Sequence, residues 1–382
     1  MVRNLILSMM LVSTTPWANA ARPITVEHLE RILTTLHGKP DAAAVRKISE
    51  LELAERLTTA KLAELEKALP GPQSRAALIA LADTSAFLKL PESEQLSKPA
   101  PDAETQHAML QLAANYVTQT LSKLPNFFAT QKVLHYEDAP AVQRNGTYFP
   151  REPLQVVAAA SAVVLYRDGK QVIEWGNGKL GKDTPPILGL ITSGEFGPIL
   201  ETVLTDAAQG KIEWSNWEPG DSNEVAVFAY SVEKAKSHYD VKFCCLEGDV
   251  ASVFEQFSGY HGEIALDPAS GTILRITMQA DLKPERPVAT ANLMVEYGTV
   301  DIGGRVYICP RRSVAEVQAY QQTAPKSPQE APNELGLHSA GPTSSESGWL
   351  LTLLNDVSYK DYHLFRSESR ILPANEATPE KQ

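Results

Sequence analysis

The residues whose types and spacing come nearest to chemistry fall in a few short groups. Gly176-Asn177-Gly178-Lys179-Leu180-Gly181-Lys182 follows an apolar strand and spells the G-x-x-x-x-G-K of a phosphate-binding loop. Asp183 then stands where a Ser or Thr hydroxyl must hold magnesium, and Pro185 and Pro186 forbid the helix whose N-terminus would hold the phosphates. The stretch reads as a loop. His261 and Glu263 project from one face of a strand, and His238 can approach from a neighbour. A metal needs three or four convergent donors, and the spacing secures only two. Alternation already predicts polar residues on that face, so a solvated outer surface accounts for them. His135, Glu137 and Asp138 gather at a strand end and are as easily exposed.

Hydrolysis has no better support. No G-x-S-x-G elbow occurs. In Ser237-His238…Asp240, neighbouring strand side chains diverge and cannot form a triad. Cys245, if it lies on an apolar face, is made inert by burial. The residues therefore predict no catalytic, metal or cofactor site. A net charge of −11 argues against nucleic acid, whose binding needs clustered Lys and Arg, and against docking on anionic lipid.

The frame that must position these residues has two textures. From residue 23 to about 121 the chain reads as helical. Asp41 can cap a helix through residues 42–57, with Leu51, Leu53, Leu57, Leu62, Leu65 and Leu69 as an apolar stripe. Leu69-Pro70-Gly71-Pro72 stops it, and residues 76–88 form another helix. Residues 89–102 read as a linker, and 103–122 as one more amphipathic helix.

From Phe127 the pattern turns to strands. Residues 163–175 form a hairpin with Asp168-Gly169 at its turn. Ser193 can cap a helix from Gly194 to Ala208, and a short helix is expected around Val250 to Phe257. Period-2 alternation then places Tyr239, Val241 and Phe243, Ile264 and Leu266, Leu274, Ile276 and Met278, and Leu293, Val295 and Tyr297 on one apolar face. Short turns such as Asp267–Gly271 make these strands antiparallel. Regular alternation predicts one buried and one wet face. Residues 321–348 read as a mobile loop and 373–382 as a frayed tail.

The first twenty residues combine Arg3, an apolar stretch from Leu5 to Trp17 and the small-x-small site Ala18-Asn19-Ala20. That combination predicts a signal peptide cleaved near Ala20, and hence a periplasmic or extracellular protein that no longer spans a membrane. Three cysteines are too few for a disulfide scaffold. Cys244 and Cys245 point to opposite strand faces, so only one can meet Cys309. With Val306 and Ile308 facing inward, Cys309 turns outward and a Cys244–Cys309 bridge is expected.

The segment from His261 to Leu282, HGEIALDPASGTILRITMQADL, and Tyr297 to Pro310, YGTVDIGGRVYICP, carry a resemblance. They resemble the hairpin and the "Y-x-x-V-x-I-G-G-x-x-Y-x-x-P" strand pair of the LolA-like periplasmic lipoprotein-carrier and sorting superfamily. The likeness covers roughly residues 103–320 and 349–372 and implies a half-barrel. The expected fold is thus α+β: a helical segment over 21–100, then a curved antiparallel sheet over 101–372 covered by helices. The apolar face named above would line a site for a lipid- or acyl-like ligand, or simply be core. Trp175, Trp214, Trp217 and Trp349 rim its mouth or cover the core. The expected function is an exported carrier of an apolar ligand; the alternative is an interaction module that engages an envelope protein through the helical segment.

Overall fold

A computed structural model describes residues 22–119, 123–139, 142–144, 147–149, 152–175, 189–190, 192, 194–220, 223–244, 254–283, 287–321 and 349–365. The signal-peptide reading, the 176–183 loop, Cys245, the 322–348 stretch and the tail lie outside the described residues.

Short turns force the strands to run antiparallel. In chain order they are β1 (Phe127–Ala139), β2 (Val142–Arg144), β3 (Thr147–Phe149), β4 (Glu152–Arg167), β5 (Lys170–Trp175), β6 (Gly189–Leu190) and β7 (Lys211–Pro219). They continue as β8 (Glu224–Val232), β9 (Asp240–Cys244), β10 (Phe254–Phe257), β11 (Tyr260–Leu266) and β12 (Ile273–Ala280). The last are β13 (Val288–Asp301), β14 (Val306–Gln321) and β15 (Trp349–Leu364). Ten of them form one sheet in the order β5-β4-β1-β15-β14-β13-β12-β11-β8-β7. Its ends do not join, so it is an open half-barrel. Asp168 and Gly169, both at positive φ, make the two-residue turn between β4 and β5.

The inner face of this sheet is closed by α5 (Ala103–Gln119), α6 (Pro198–Gln209) and a three-stranded sheet of order β10-β9-β6. Met109 and Ala113 of α5, Leu200 and Val203 of α6, and Ile264, Ile276 and Val295 of the sheet share one core. Gly271, at φ +72°, turns β11 into β12 so close to α5 that a Cβ there would fall 2.2 Å from the Leu112 carbonyl carbon. Asp206 ties the cover down: it accepts from Tyr260 Oη at 2.9 Å and from the His238 backbone N–H at 2.8 Å.

The face expected to be wet carries a second layer, formed by α1 (Val26–Thr35), α2 (Asp41–Ile48), α3 (Thr59–Leu65) and α4 (Pro72–Thr84). These helices share a leucine-rich core of their own, including Leu29, Leu33, Leu62 and Leu78. Across the sheet beneath them, Arg275 pairs in register with Glu296, and Glu296 with Arg312, a row of alternating charge. Arg56, between α2 and α3, donates to Glu218 Oε2 at 2.7 Å. Arg275 donates to both Glu218 oxygens at 2.9 and 3.1 Å and to Glu263 at 3.1 Å. Arg56 and Glu218 are 4% and 5% exposed. At the far end of the row, fully buried Asp83 of α4 pairs with Arg312, which also donates to Asp356 at 2.9 Å. Ala80 and Ala86 fill the space between these pairs against Met294, Val314 and Leu354.

Several expectations are corrected. The helix begun at Asp41 ends at Ile48, because Ile24 and Leu53 pair as a parallel bridge that draws the chain straight. Asp41 instead caps α4, accepting from the Gln73 and Ser74 backbone N–H groups at 3.1 and 3.0 Å. The helix expected from Gly194 starts at Pro198. Residues 254–257 are a strand rather than a helix, held by register against 240–243. Val241 and Phe243 belong to the cover sheet and reach the core from the side opposite the meander. Leu274 leaves the inner face: the register shifts between Ala265 and Leu266, Ile273 turns inward, and Leu274 packs with Val225, Val227 and Ala265. Residues 94–99 do more than link. Leu96 N–H donates to the Trp217 carbonyl at 3.2 Å, which straps the segment beside β7.

The set Arg56, Arg275, Glu218 and Glu263 is neutral as a whole, so removing one arginine leaves a buried carboxylate in excess. Arg56→Met should lower the unfolding free energy by about 3 kcal/mol in a urea titration. Burial pushes the Glu218 carboxyl up, but Arg275 and Arg56 outweigh it and hold the group at about 2, below the ordinary 4.5. A carboxyl depressed on folding stabilises above its ordinary pKa and loses that contribution as pH falls toward its folded value. Stability should therefore decline between about pH 5 and 2, and less steeply in Glu218→Gln, when urea midpoints are followed against pH.

Candidate functional site

The inner-face residues singled out by alternation lie where protein already fills the space. Ile264, Leu266, Ile276, Val295, Val241 and Phe243 are wholly buried, and Met278, Leu293 and Tyr297 nearly so. Tyr239 is half-buried against the same core, and Leu274 is on the other face. Burial of this kind gives an aliphatic side chain a packing role.

Within that interior lies a polar group that sequence reasoning missed. Glu195, in the turn before α6, is 2% exposed, and among the described residues its Oε2 and the Tyr297 hydroxyl have no hydrogen-bond partner. Burial raises the Glu195 carboxyl, and hydrogen bonds with Thr192 and Gln171 offset this only in part. Burial first, and then the nearby Glu195 charge, push Tyr297 and Tyr359 well above the usual phenol range. Among the described residues no metal donor set gathers around it. No local sequence signal marks Glu195, since the surrounding Gly-Glu-Phe-Gly reads as an ordinary turn.

The histidine groups are already engaged. His261 Nδ1 lies 2.8 Å from Asp281, and His238 Nδ1 lies 2.6 Å from Asp206. Glu263 is taken by Arg275 and Arg56. His135 is buried between Asn355 at 2.6 Å and Glu137 at 2.9 Å, and Asp138 accepts from the Thr352 N–H at 2.6 Å. Among the described residues no three His, Cys, Asp or Glu side chains gather to hold a metal ion. Trp217 is buried, with its indole N–H donating to the Pro99 carbonyl at 3.1 Å. Trp214 meets Trp217 and Phe228 edge-on, so both rings cover the core end. The side chains of Trp175 and Trp349 lie outside the described residues.

Cys309 is free and fully buried beside Phe127, Ile302 and Tyr362, and burial pushes its thiol up to about 12. The expected Cys244–Cys309 bridge is not formed. Val306, expected to face inward, is 71% exposed, whereas Ile308 does pack against the core and Cys309 is buried in the neighbouring cluster.

Two features remain open to a partner or ligand. The first is the β1–β4–β5 end of the sheet. There Val172, Leu165 and Phe128 line up in register on the outer face, with Val172 51% and Phe128 37% exposed. β5 pairs only with Ala162–Arg167, so among the described residues the 152–161 half of β4 has β1 as its sole pairing partner. Val156 and Val157 in that half are 41% and 49% exposed. The second is a half-open groove of 480 Å³ where β10 meets the end of β12 and the start of β13.

No family model and no curated protein matches this chain. Among solved structures it is similar to a complex of MucA and MucB from Pseudomonas aeruginosa, at 11% identity and a TM-score of 0.20, over 66% of this chain and 93% of that one. Among the described residues no helix is long and apolar enough to cross a membrane.

Proposed function

We propose that this protein is a non-enzymatic binding protein of the cell envelope that takes up an extended, uncharged segment of a partner protein on the free half of β4. The observation that carries this reading is the 152–161 edge, which among the described residues pairs with β1 alone. From Pro153 to Tyr166 the strand holds no charged residue, only Leu, Gln, Val, Ala, Ser and Tyr after the proline. Natural edges are commonly blunted with charge or covered by another element. An edge without lysine, rich in valine and alanine, suits strand addition: backbone hydrogen bonds supply affinity and alternate side chains supply register. The apolar row Val172, Leu165 and Phe128 beside it gives the partner a further surface to cover.

Export rests on the reading of residues 1–20 as a signal peptide. The LolA-like motif resemblance adds support for an envelope protein with an open sheet. Carriage of a lipid- or acyl-like ligand on the inner face has less behind it, because α5 and α6 occupy the space such a ligand would need. The helical segment, offered by the alternative as the binding surface, spends its inward face on the sheet and reaches Leu154 of β4, while Val156 and Val157 beside it stay exposed.

A photo-cross-linking residue at Gln155 tests this in the native envelope. The expected result is an adduct whose partner peptide maps to an extended, uncharged segment. The synthetic peptide should bind the purified protein, and roughly tenfold more weakly when Val156 and Val157 are both changed to Lys, as read by calorimetry. Absence of any adduct, or an adduct only with a second copy of this chain, contradicts the reading.

A further inference from the structure

We propose that the groove between β10 and the β12–β13 end binds a small amphiphilic anion, with its acid head between Lys234 and Lys283 and its apolar body on Phe254, Leu282 and Val288. This goes beyond the partner segment on β4 and uses none of its residues. The groove, at 480 Å³, falls within the range of small-molecule sites. Its wall contains Ser258, which is 1% exposed and whose hydroxyl has no hydrogen-bond partner among the described residues. A hydroxyl buried without a partner is unfavourable, and an acceptor placed in the groove relieves it. Gly259 makes this placement available, because a Cβ there would lie 2.9 Å from the Val232 carbonyl oxygen.

Charge selects the sign of the occupant. Lys234 and Lys283 both line the groove, and both are exposed. Among the described lining residues the one carboxylate, Asp281, is held by His261 at 2.8 Å. Among these residues an anion therefore meets two ammonium groups against a single engaged carboxylate. The floor selects the rest of the ligand. Val288 belongs to the buried core, and Phe254 and Leu282 pack against that core, so the head site adjoins an apolar surface. A bare inorganic anion would leave that surface wet.

Calorimetric titration of the purified protein with octanoate, 1-octanol and inorganic phosphate tests the assignment. Octanoate should saturate one site, with 1-octanol and phosphate each roughly tenfold weaker or undetectable. Replacing both lysines, Lys234→Ala with Lys283→Ala, should weaken octanoate roughly tenfold, whereas replacing both with Arg should retain binding. Both lysines are exposed, so an unchanged melting temperature confirms that the variants are folded. No saturable heat with octanoate overturns the proposal. Binding indifferent to the alanine pair overturns the head site, and phosphate as tight as octanoate overturns the apolar body.

Discussion

Charge taken out of water between two layers of protein must be matched nearly atom for atom, because the desolvation cost is recovered only by complete pairing. Glu218 meets that condition with three arginine hydrogen bonds, one from Arg56 and two from Arg275. Arg56 comes from the helical layer, while Glu218, Glu263 and Arg275 come from three strands of the sheet, so the pairing exists only when both layers are in place. At the other end Arg312 joins the layers between Asp83 of α4 and Asp356 of β15. The two clusters fix where the helices lie, and the leucines of the helical layer then fold around that position. Apolar packing alone would permit sliding, since Ala80 and Ala86 present small side chains to the sheet.

That registration decides what is left for binding. The helices reach β1 and β4, where Ala80 and Ala86 pack with Tyr136 and Leu154, and the outer face stays exposed at Phe128, Val163 and Val172. The inner face is closed by α5, α6 and the β10-β9-β6 sheet, which Asp206 fastens through Tyr260 and His238. Surfaces remain at the free half of β4 and at the rim where β10 meets β12 and β13. The fold thus turns a half-barrel with two faces into a body whose binding surfaces lie at its edges.

Much of the sheet was legible because its signals are local. The alternation in β11, β12 and β13, the Asp267–Gly271 turn and the Asp168-Gly169 turn each depend on a few neighbouring residues. The covering of the outer face was not legible, because Glu263, Arg275 and Glu296 have the same alternating pattern whether water or an opposite charge faces them. Their signs were the missed clue: positions equivalent across β12, β13 and β14 carry Arg, Glu and Arg. Leu274 was misplaced because a bulge shifts the period by one residue without a compositional mark. Cys309 was misplaced because an inward Ile308 suggests that its neighbour turns outward, whereas both pack inward, in adjoining clusters. Of the surfaces open for binding, the edge of β4 is visible in sequence only as an uncharged strand, and nothing in the chain marks Ser258 or Glu195 as buried.

The account rests on the helical layer and the sheet being one cooperative body joined by buried ion pairs. Scanning calorimetry of the purified protein tests this most directly. A single transition whose calorimetric and van't Hoff enthalpies agree is the predicted result. An earlier, separate melting of the helical layer, with the sheet still folded, would contradict it.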